Sequence, residues 1–577
     1  MVSSRMMVVG LVLVAAPACA LAETLKLEPY PQMMGRQWTE RDGLPAGSVT
    51  GIWTGSAGRV TCAVGKKWFA LEENKWTATG PGQRSTPRPV TLPAALRETT
   101  PWEDVTAVIY TKGRPASFWV GTTRGLCFRE GDTWRALSGL RWLPNNHVTA
   151  LHADEDGSIW VGTQGGVAKI HWVTMTLEEK ARQLNAMLQE RHVRHGLVTD
   201  IVLNAPDDFK NYRQPSNDND GLWTALYVGA ESFRYAVTMD PSAKANARRS
   251  LEALMFLETV TGMPGFCARS FIEAGRGPEH GGEWHRSADG KWDWKGDTSS
   301  DELCGHMFAY EIYHRLVADE AEKKEIAGYV GRIMGRIVDD GYIWKDVDGK
   351  ATRWGVWSPE KLNHDLRWIV ERGLNSLQIL SFLRIAHKIT GDDKFDRAIN
   401  ELVNRHAYPT NTLRQKHVWP PNHINHSDDE LAFLPYYGLL IRETDEELRR
   451  FYLYSIERSW QIERPERSPF LNYIYGGATG RPCDAAQAAA TLREMPMDMR
   501  AWAVVNSDRR DFEYADYLTR FRKKQAKTVF AWYERRLMRW NGNPYQLDEG
   551  GDGTHEYEPS HYLLPYWMGR YHKLIEE

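Results

Sequence analysis

The sequence predicts a multidomain protein, in which a short β-repeat region precedes a larger, mainly α-helical region. A Trp-Val-Gly-Thr motif occurs twice in the first third of the chain, and strand-like runs flank both copies. From residue 176 onward, long segments carry apolar residues at helical spacing, and no strand-rich stretch follows. The length of 577 residues also exceeds that of a typical single domain. We therefore expect a β-repeat region at 23–175 and a helical domain at 176–577.

The first 22 residues have the features of a cleavable secretory signal. A basic residue precedes the apolar run 8–16, and Ala20-Leu21-Ala22 is a small-x-small cleavage site. Cys19 offers a lipid-anchored alternative, which the preceding proline disfavours. The sequence therefore predicts a periplasmic or secreted protein.

Composition narrows the classes of partner. The formal net charge of −3 favours neither nucleic acid nor an anionic membrane surface, and no later segment is apolar enough for stable membrane insertion. The cysteines form no CxxC pair, so a thiolate metal site is not expected. The 24 Trp residues are numerous and raise the expectation of sugar binding, although Trp is also a common core residue.

The β-repeat region contains two clear copies of one pattern and a degenerate third. Val148-Thr149-Ala150-Leu151 precedes 159–163, Val105-Thr106-Ala107-Val108 precedes 118–122, and the third copy begins at Val49. The two motif copies lie 41 residues apart, which is a propeller-blade spacing. These motifs resemble two-component regulator propeller repeats. Because closed propellers need at least about four blades, we expect this region to dock on the helical domain, to mediate oligomerisation or to contain further strands.

The helical region contains about a dozen amphipathic segments separated by loops rich in Gly, Pro, Trp, Asn and His. The predicted helices are 177–194, 222–238, 242–261, 301–317, 319–339, 365–390, 394–405, 428–441, 445–461, 485–493 and 512–537. This alternation resembles the (α/α)6-type toroid of many glycoside hydrolases and polysaccharide lyases. The resemblance implies an inner ring of helices whose N-terminal loops face a central cleft. It also implies that residues 176–577 form the catalytic domain.

Three loop–helix junctions place carboxylates at the positive end of a helix. They are Ser216–Trp223, with Asp218 and Asp220; Trp292–Glu302, with Asp297, Asp301 and Glu302; and His423–Glu430, with His426 and Asp429. N-capping alone explains any one of these carboxylates. Their recurrence favours a shared site.

Hydrolysis of a glycosidic bond requires one protonated and one ionised carboxyl group on opposite sides of the sugar. The sequence favours Asp297 with Asp301 or Glu302 on one wall, and Asp429, or Asp218 or Asp220 in its place, on the other. Aromatic and polar side chains complete the predicted substrate-binding set: Trp223, Trp294, Trp354 and Trp357 as sugar platforms, and Arg353, His423, His426 and Tyr473 as polar contacts.

A second enzymatic interpretation is β-elimination on a uronic-acid polymer. It requires a group that neutralises the sugar carboxylate and a base that removes the C5 proton. Arg353 suits the first role, and His426 and Tyr473 suit the second. The sequence does not rank the hydrolase far above the lyase.

Other chemistries find less support. His423 and His426 with the following aspartates could bind zinc, but the HExxH or third-histidine context is missing, so no metal is predicted. The GxSxG, P-loop and dinucleotide-binding motifs are also missing, so no cofactor is expected. We expect a polysaccharide or oligosaccharide substrate. A non-catalytic carbohydrate-binding or sensory protein is the alternative outside the enzymes.

Overall fold

The computed structural model describes residues 23–55, 58–81, 90–111, 117–278, 281–419, 424–536 and 541–577. The predicted signal segment and His423 lie outside the described residues. The chain forms an antiparallel β region followed by a mainly helical region, which confirms the predicted fold class. Among the described residues, no helix is both long and apolar enough to cross a bilayer.

The described residues of the β region form thirteen strands and one short α-helix. The strands are β1 Leu25–Lys26, β2 Tyr30–Trp38, β3 Val49–Thr54, β4 Val60–Val64, β5 Lys67–Glu72, β6 Lys75–Thr79, β7 Val105–Thr111, β8 Ser117–Thr122, β9 Leu126–Glu130, β10 Thr133–Leu137, β11 Val148–Ala153, β12 Ile159–Thr163 and β13 Gly166–Met175, and the helix is α1 Ala94–Glu98. They build three four-stranded antiparallel sheets. We call them blade A (β3–β6), blade B (β7–β10) and blade C (β11–β13, completed by β2).

The repeated motif has a packing reason. In blade B, a Cβ added to Gly121 would lie 2.4 Å from a Val148 methyl group of blade C. In blade C, a Cβ on Gly162 would lie 2.8 Å from a Val49 methyl group of blade A. The glycine of each motif therefore leaves room for the first valine of the neighbouring blade, and the blades pack in the order B, C, A. Strand β2 supplies the fourth strand that the sequence pattern did not predict.

The β region contacts the helical region through blade B. The backbone N–H of Ala136 on β10 donates to Oε1 of Glu534 at 2.8 Å. The Trp102 indole N–H donates to Asp508 at 3.1 Å, and the Arg510 guanidinium pairs with Glu103 at 2.7 Å. A strand edge that would otherwise face solvent is thus partly covered by the segment 506–536 of the same chain.

In the described part of the chain, fourteen α-helices follow the β region. They are α2 Leu177–Arg191, α3 Asp220–Thr238, α4 Pro241–Thr259, α5 Ser300–Leu316, α6 Glu320–Asp339, α7 Pro359–Leu362, α8 Arg372–Thr390, α9 Asp393–Asn404, α10 Tyr408–Thr412, α11 Ser427–Arg442, α12 Glu446–Glu463, α13 Pro469–Thr479, α14 Ala485–Glu494 and α15 Ser560–Tyr571. Six of them contact one another in a closed ring, in the order α3, α5, α8, α11, α13 and α15. A second helix packs outside each member of the ring: α4, α6, α9, α12, α14 and α2.

The two layers differ in their burial as the toroid requires. Inner helix α5 is buried almost all round over its first fourteen residues, because it has neighbours on both sides in the ring and a third outside. Outer helix α9 buries only one stripe, formed by Phe395, Ala398, Ile399 and Leu402. Its Asp392 side chain accepts a hydrogen bond from the Lys394 N–H and caps the helix.

Short strands decorate the rim of the toroid, where the sequence predicted no strand-rich stretch. They are β14 Val193–Arg194, β15 Leu197–Val198, β16 Ile201–Leu203, β17 Tyr212–Arg213, β18 Ser270–Glu273, β19 Trp284–Arg286, β20 Trp292–Lys295, β21 Ile343–Lys345, β22 Ala351–Val356, β23 Arg500–Val505, β24 Asp548–Glu556 and β25 Ile575–Glu576. The longest of these pairings joins β23 to β24. Strand β25 pairs with β1, which ties the two described ends of the chain together.

The predicted helix 512–537 is wrong. Residues 507–531 form an irregular loop with an isolated bridge between Tyr514 and Ala526, and a 3-10 turn follows at Trp532–Glu534. Arg522 adopts a left-handed conformation with φ of 59°, which a helix interior does not accommodate. Four helices of this region were not predicted: the short α7 and α10, and the longer α13 and α15. Tyr473 lies inside α13.

Candidate active site

Three half-buried carboxyl groups lie at the beginnings of three successive inner helices. Asp301 is in the first turn of α5, Glu371 is the residue before α8, and Asp428 is in the first turn of α11. We call these residues the acidic trio. Each is placed by a helix of the inner ring, so the ring packing brings together side chains that are far apart in sequence.

The acidic trio is electrostatically coupled. Burial raises the pKa of all three carboxyl groups, and the charge of Asp301 raises the pKa of Glu371 and of Asp428 further. Glu371 in turn raises the pKa of Asp428, which is held well above its usual range. Like charges in a poorly solvated site disfavour simultaneous ionisation, so the trio tends to retain a proton.

A different cation opposes this effect at each member of the trio, and at Asp428 it is Lys416. Arg269 lowers the pKa of Asp301 against the dominant effect of burial, and Arg520 does the same for Glu371. Arg269 also positions Asp301, because its guanidinium donates to Oδ1 of Asn219 at 2.7 Å and the Asn219 amide donates to Asp301 at 3.0 Å. Asp301 thus has more support for its ionised form than Asp428 has.

A second acidic group lies next to the trio but is buried and ion-paired. We call Lys416, His426, Asp429, Glu463 and Glu466 the lysine cluster. The Lys416 ammonium lies 2.7 Å from carboxylate oxygens of both Asp429 and Glu463. Burial raises the pKa of Asp429 to about 7, of Glu463 to about 8 and of Glu466 to about 7.

The lysine cluster also contains the groups of a cation site. One ligand atom from each of His426, Asp429, Glu463 and Glu466 lies within 4.8 Å of the others. In this arrangement the Lys416 ammonium already contacts two of the carboxylates and supplies the positive charge. His426 Nδ1 lies 3.2 Å from Glu466, and burial together with Lys416 lowers the pKa of the imidazole, which favours its neutral form.

A cavity of about 800 Å³ opens beside the lysine cluster. Asp301, Glu371 and Asp428 are not part of its lining, but Ser427, the residue before Asp428, is. One wall carries His426 and Ser427 at the start of α11, with Glu463 and Glu466. The opposite wall belongs to the irregular loop 507–531, which was predicted to be helical. The cavity is large enough for a sugar unit.

The predicted catalytic residues separate into one that joins the trio and three that do not. Asp301 is a trio member. Glu302 is fully buried, and its carboxylate lies where a Cβ on Gly221 would stand, so it is packed between helices and does not join the trio. Asp429 is 2% exposed and bound by Lys416, which makes it structural. Asp297, with φ of 47°, accepts a hydrogen bond from the Arg353 N–H at 2.9 Å and fastens its loop to β22.

Most of the predicted substrate contacts are also corrected. Four of the aromatic residues are at most 8% exposed and pack within the core: Trp223, Trp294, Trp357 and Tyr473. Asp220 is buried and pairs with Arg194 at 2.6 Å, and Asp218 pairs with Lys295, so both carboxylates serve the local structure. Trp354 is 39% exposed, with the Arg353 guanidinium 4.9 Å from its ring centre. These two residues and His426 remain candidate contacts.

Glu371, Arg520 and Lys416 were not predicted as site residues. Glu371 was hidden inside the predicted helix 365–390, although α8 begins only at Arg372. Arg520 was hidden inside the wrongly predicted helix 512–537. A helix start directly after Glu371 would have marked it as a candidate, as helix starts did for Asp301. Arg520 and Lys416 had no such signal.

Comparison with known proteins identifies the β repeat. The two component regulator propeller family model matches residues 143–165, which cover the third copy of the repeat in chain order. No curated protein matches the chain. Similar solved structures include a sugar epimerase from a ruminal bacterium, with a TM-score of 0.36 and 11% identity over 68% of this chain and 98% of that chain.

Two further solved structures show a comparable degree of similarity. One is an unsaturated glucuronyl hydrolase specific for heparin, with a TM-score of 0.32 and 12% identity over 68% of this chain and 96% of that chain. The other is a polysaccharide lyase, with a TM-score of 0.32 and 11% identity over 69% of this chain and 96% of that chain. These distant similarities assign no role to any residue of this chain.

Proposed function

We propose that the protein is an exported carbohydrate-active enzyme that hydrolyses glycosidic bonds in a polysaccharide or oligosaccharide, with residues 176–577 as its catalytic domain. The acidic trio is the observation that carries the proposal. Three half-buried carboxyl groups lie at the starts of three neighbouring inner helices, and a cavity of sugar size is lined by Ser427, the residue before Asp428. Their mutual repulsion favours the mixed protonation that glycosidic hydrolysis requires.

The environments of the trio divide the roles. Asp428 is the general acid, because burial, Glu371 and Asp429 all raise its pKa and favour the protonated form. Asp301 is the base or nucleophile, because Arg269 and the Asn219 amide support its carboxylate. The charge of Asp301 raises the pKa of Glu371, and the charge of Glu371 in turn helps to keep the pKa of Asp428 high.

A lyase is the second candidate, and His426 is the observation that favours it. The imidazole lines the cavity, and its lowered pKa favours the neutral form that a base needs. Tyr473 is no longer a candidate for this chemistry, because it is buried inside α13. A lyase would therefore rely on His426 together with the cations of the cavity wall.

The test uses purified residues 23–577 and a panel of neutral and acidic polysaccharides. New reducing ends and the ultraviolet absorbance of unsaturated uronates are followed together. Reducing ends alone, lost in Asp428→Asn and Asp301→Asn, support the hydrolase. Both signals rising together, lost in His426→Ala, support the lyase. Asp348→Asn is the matched control, because this aspartate lies in the exposed turn between β21 and β22. Silence across the panel, with saccharide binding retained, would contradict both and leave a binding protein.

A further inference from the structure

The irregular loop that replaces the predicted helix 512–537 carries a concentrated positive charge. We call residues 514–527 the basic loop. Five of its last eight residues are cationic: Arg520, Arg522, Lys523, Lys524 and Lys527. Four of these line the 800 Å³ cavity, and Arg522 does not. The loop therefore directs most of its charge toward the cavity.

Two of these cations are available to a ligand. Lys527 pairs with Glu513 at 2.8 Å, and the Lys524 ammonium lies 4.9 Å from the Tyr514 ring. The Arg520 guanidinium lies 4.8 Å from the ring of its exposed neighbour Phe521, which leaves its N–H groups without an acidic partner among the described residues. Arg520 and Lys523 are exposed, and within the described part of the chain neither side chain forms an ion pair. Cations that face a concave site without a partner favour anionic ligands.

Arg520 links the cavity to the acidic trio. Burial raises the pKa of Glu371 and lowers that of His426, and the positive charge of Arg520 acts on both groups. Glu371 belongs to the trio, whereas His426 lines the cavity. A ligand that reaches Arg520 in the cavity is therefore close to the carboxyl groups proposed to cleave it.

Exposed aromatic rings share the same cavity. Trp419 is 77% exposed and Phe521 is 70% exposed, and both belong to its lining. Large apolar side chains that face solvent beside a groove mark binding surfaces. Rings beside free cations suit a ligand with apolar C–H faces and a negative charge.

The carboxyl groups on the opposite wall do not forbid an anion. Glu463 and Glu466 line the cavity, but the pKa values of about 8 and about 7 let them keep protons near neutral pH. The Lys416 ammonium neutralises further charge on that wall. Asp516 of the basic loop also lines the cavity, and its charge acts on Lys527. The four lining cations of the loop outnumber this one carboxylate.

We propose that the cavity binds a saccharide unit bearing a carboxylate or a sulfate, with Arg520 and Lys523 neutralising its charge and Trp419 and Phe521 packing on its apolar faces. This inference rests on the proposed function and names its substrate class. The basic loop therefore makes an anionic glycan, rather than a neutral one, the preferred substrate.

The experiment measures binding by isothermal titration calorimetry with Asp428→Asn as the background, so that turnover does not consume the ligand. The probes are an oligogalacturonate, a sulfated oligosaccharide and a neutral cello-oligosaccharide of equal length. We expect the unaltered cavity to bind at least one acidic probe about tenfold or more tightly than the neutral one. The carboxylated and sulfated probes identify which anion the site prefers.

The paired variants are Arg520→Gln/Lys523→Gln and, as the matched control, Arg522→Gln on the same loop but outside the cavity. The double variant should weaken acidic binding about tenfold or more and leave neutral binding unchanged, whereas the control should change either affinity less than about twofold. Equal loss in both variants, or tighter binding of the neutral probe, would overturn the inference.

The two proposals fail separately. Hydrolysis of a neutral polysaccharide that Asp428→Asn abolishes, without any acidic binding, would retain the proposed function and overturn the anionic site. Acidic binding that depends on Arg520 and Lys523, without hydrolysis by the unaltered protein, would retain the site and overturn the proposed function.

Discussion

Asp428 and Asp429 are consecutive residues at the start of α11, yet they belong to opposite kinds of environment. Asp428 is half-buried among the like charges of the acidic trio. Asp429 is buried against the Lys416 ammonium, which lies 2.7 Å from one of its carboxylate oxygens. Consecutive helical residues point about 100° apart, so one faces the cleft and the other faces the protein interior.

The difference teaches how the same residue type serves either chemistry or stability. Repulsion within the trio holds the pKa of Asp428 high and costs the folded state free energy. The compensated charge of Asp429 holds α11 to the segment before it. Removing the Asp428 carboxylate should therefore mainly affect catalysis. Removing the Lys416 ammonium that pairs with Asp429 should mainly affect folding.

The largest expected effect is on turnover. Asp428→Asn should lower kcat/KM by about 10²–10⁴-fold, because the amide cannot donate the proton that the leaving group needs. Its thermal unfolding temperature should equal or exceed that of the unaltered protein, since the amide cannot ionise among the like charges of the trio. Initial rates of reducing-end release and thermal unfolding scans measure both effects, with Asp348→Asn as the control. A variant with normal turnover would remove Asp428 from the mechanism.

The next effect is on stability. Lys416→Met should lower the free energy of unfolding by about 3–5 kcal/mol at pH 8, because three buried carboxyl groups then lack their ammonium. The loss should be smaller at pH 5, where those carboxyl groups are protonated in the folded state. Denaturant unfolding at both pH values measures the difference. A loss equal at pH 5 and pH 8 would show that the ion pair is not its cause.

A smaller effect is on the pH dependence of stability. The pKa of Glu466 rises from 4.5 to about 7 on folding, so its protonated form favours the folded state. Its stabilising contribution is complete below pH 4.5 and is lost as the pH rises toward 7. Glu466→Gln should therefore flatten the decline in unfolding free energy between pH 5 and 8 by about 1–3 kcal/mol.

The control for this measurement is Glu360→Gln, because Glu360 is exposed on α7. Its unfolding free energy should follow the same pH curve as that of the unaltered protein. If Glu466→Gln also follows that curve, the lysine cluster does not store the predicted proton.

The smallest expected effect is on the pH dependence of turnover, through the charge of Arg520 on the acidic trio. Arg520 lowers the pKa of Glu371 against the dominant effect of burial. Arg520→Gln should move the alkaline limb of the kcat profile to lower pH, because Glu371 then keeps its proton longer and a neutral Glu371 no longer raises the pKa of the general acid Asp428. Saturating substrate separates this shift from weaker binding, and Arg522→Gln should leave the profile in place. A shift to higher pH would contradict the coupling.

Local patterns predicted the elements whose contacts are local. Thr176 caps α2 by accepting a hydrogen bond from the Glu179 N–H at 3.1 Å, as its position before an apolar run indicates. The Trp-Val-Gly-Thr copies lie in β8 and β12, because the motif itself carries the glycine that admits the next blade. Strand β2 was missed because its pairing partner β13 lies far along the chain.

The candidate site was predictable only in part. Asp301 was found because a helix start is visible in the sequence, and carboxylates are expected there. The same signal also selected Glu302 and Asp429, which point into the core. A helix start shows that a carboxylate is near the rim, but the direction of the side chain depends on which neighbours pack around that helix.

By itself, the sequence determined the order of the two regions, the β repeat and most helices of the toroid, because periodicity, caps and glycines act over a few residues. Only the tertiary structure decided that Asp301, Glu371 and Asp428 meet, that Lys416 neutralises Asp429, and that the basic loop lines the cavity. Those outcomes depend on ring closure between helices and on charges that lie far apart in the chain, which no local pattern records.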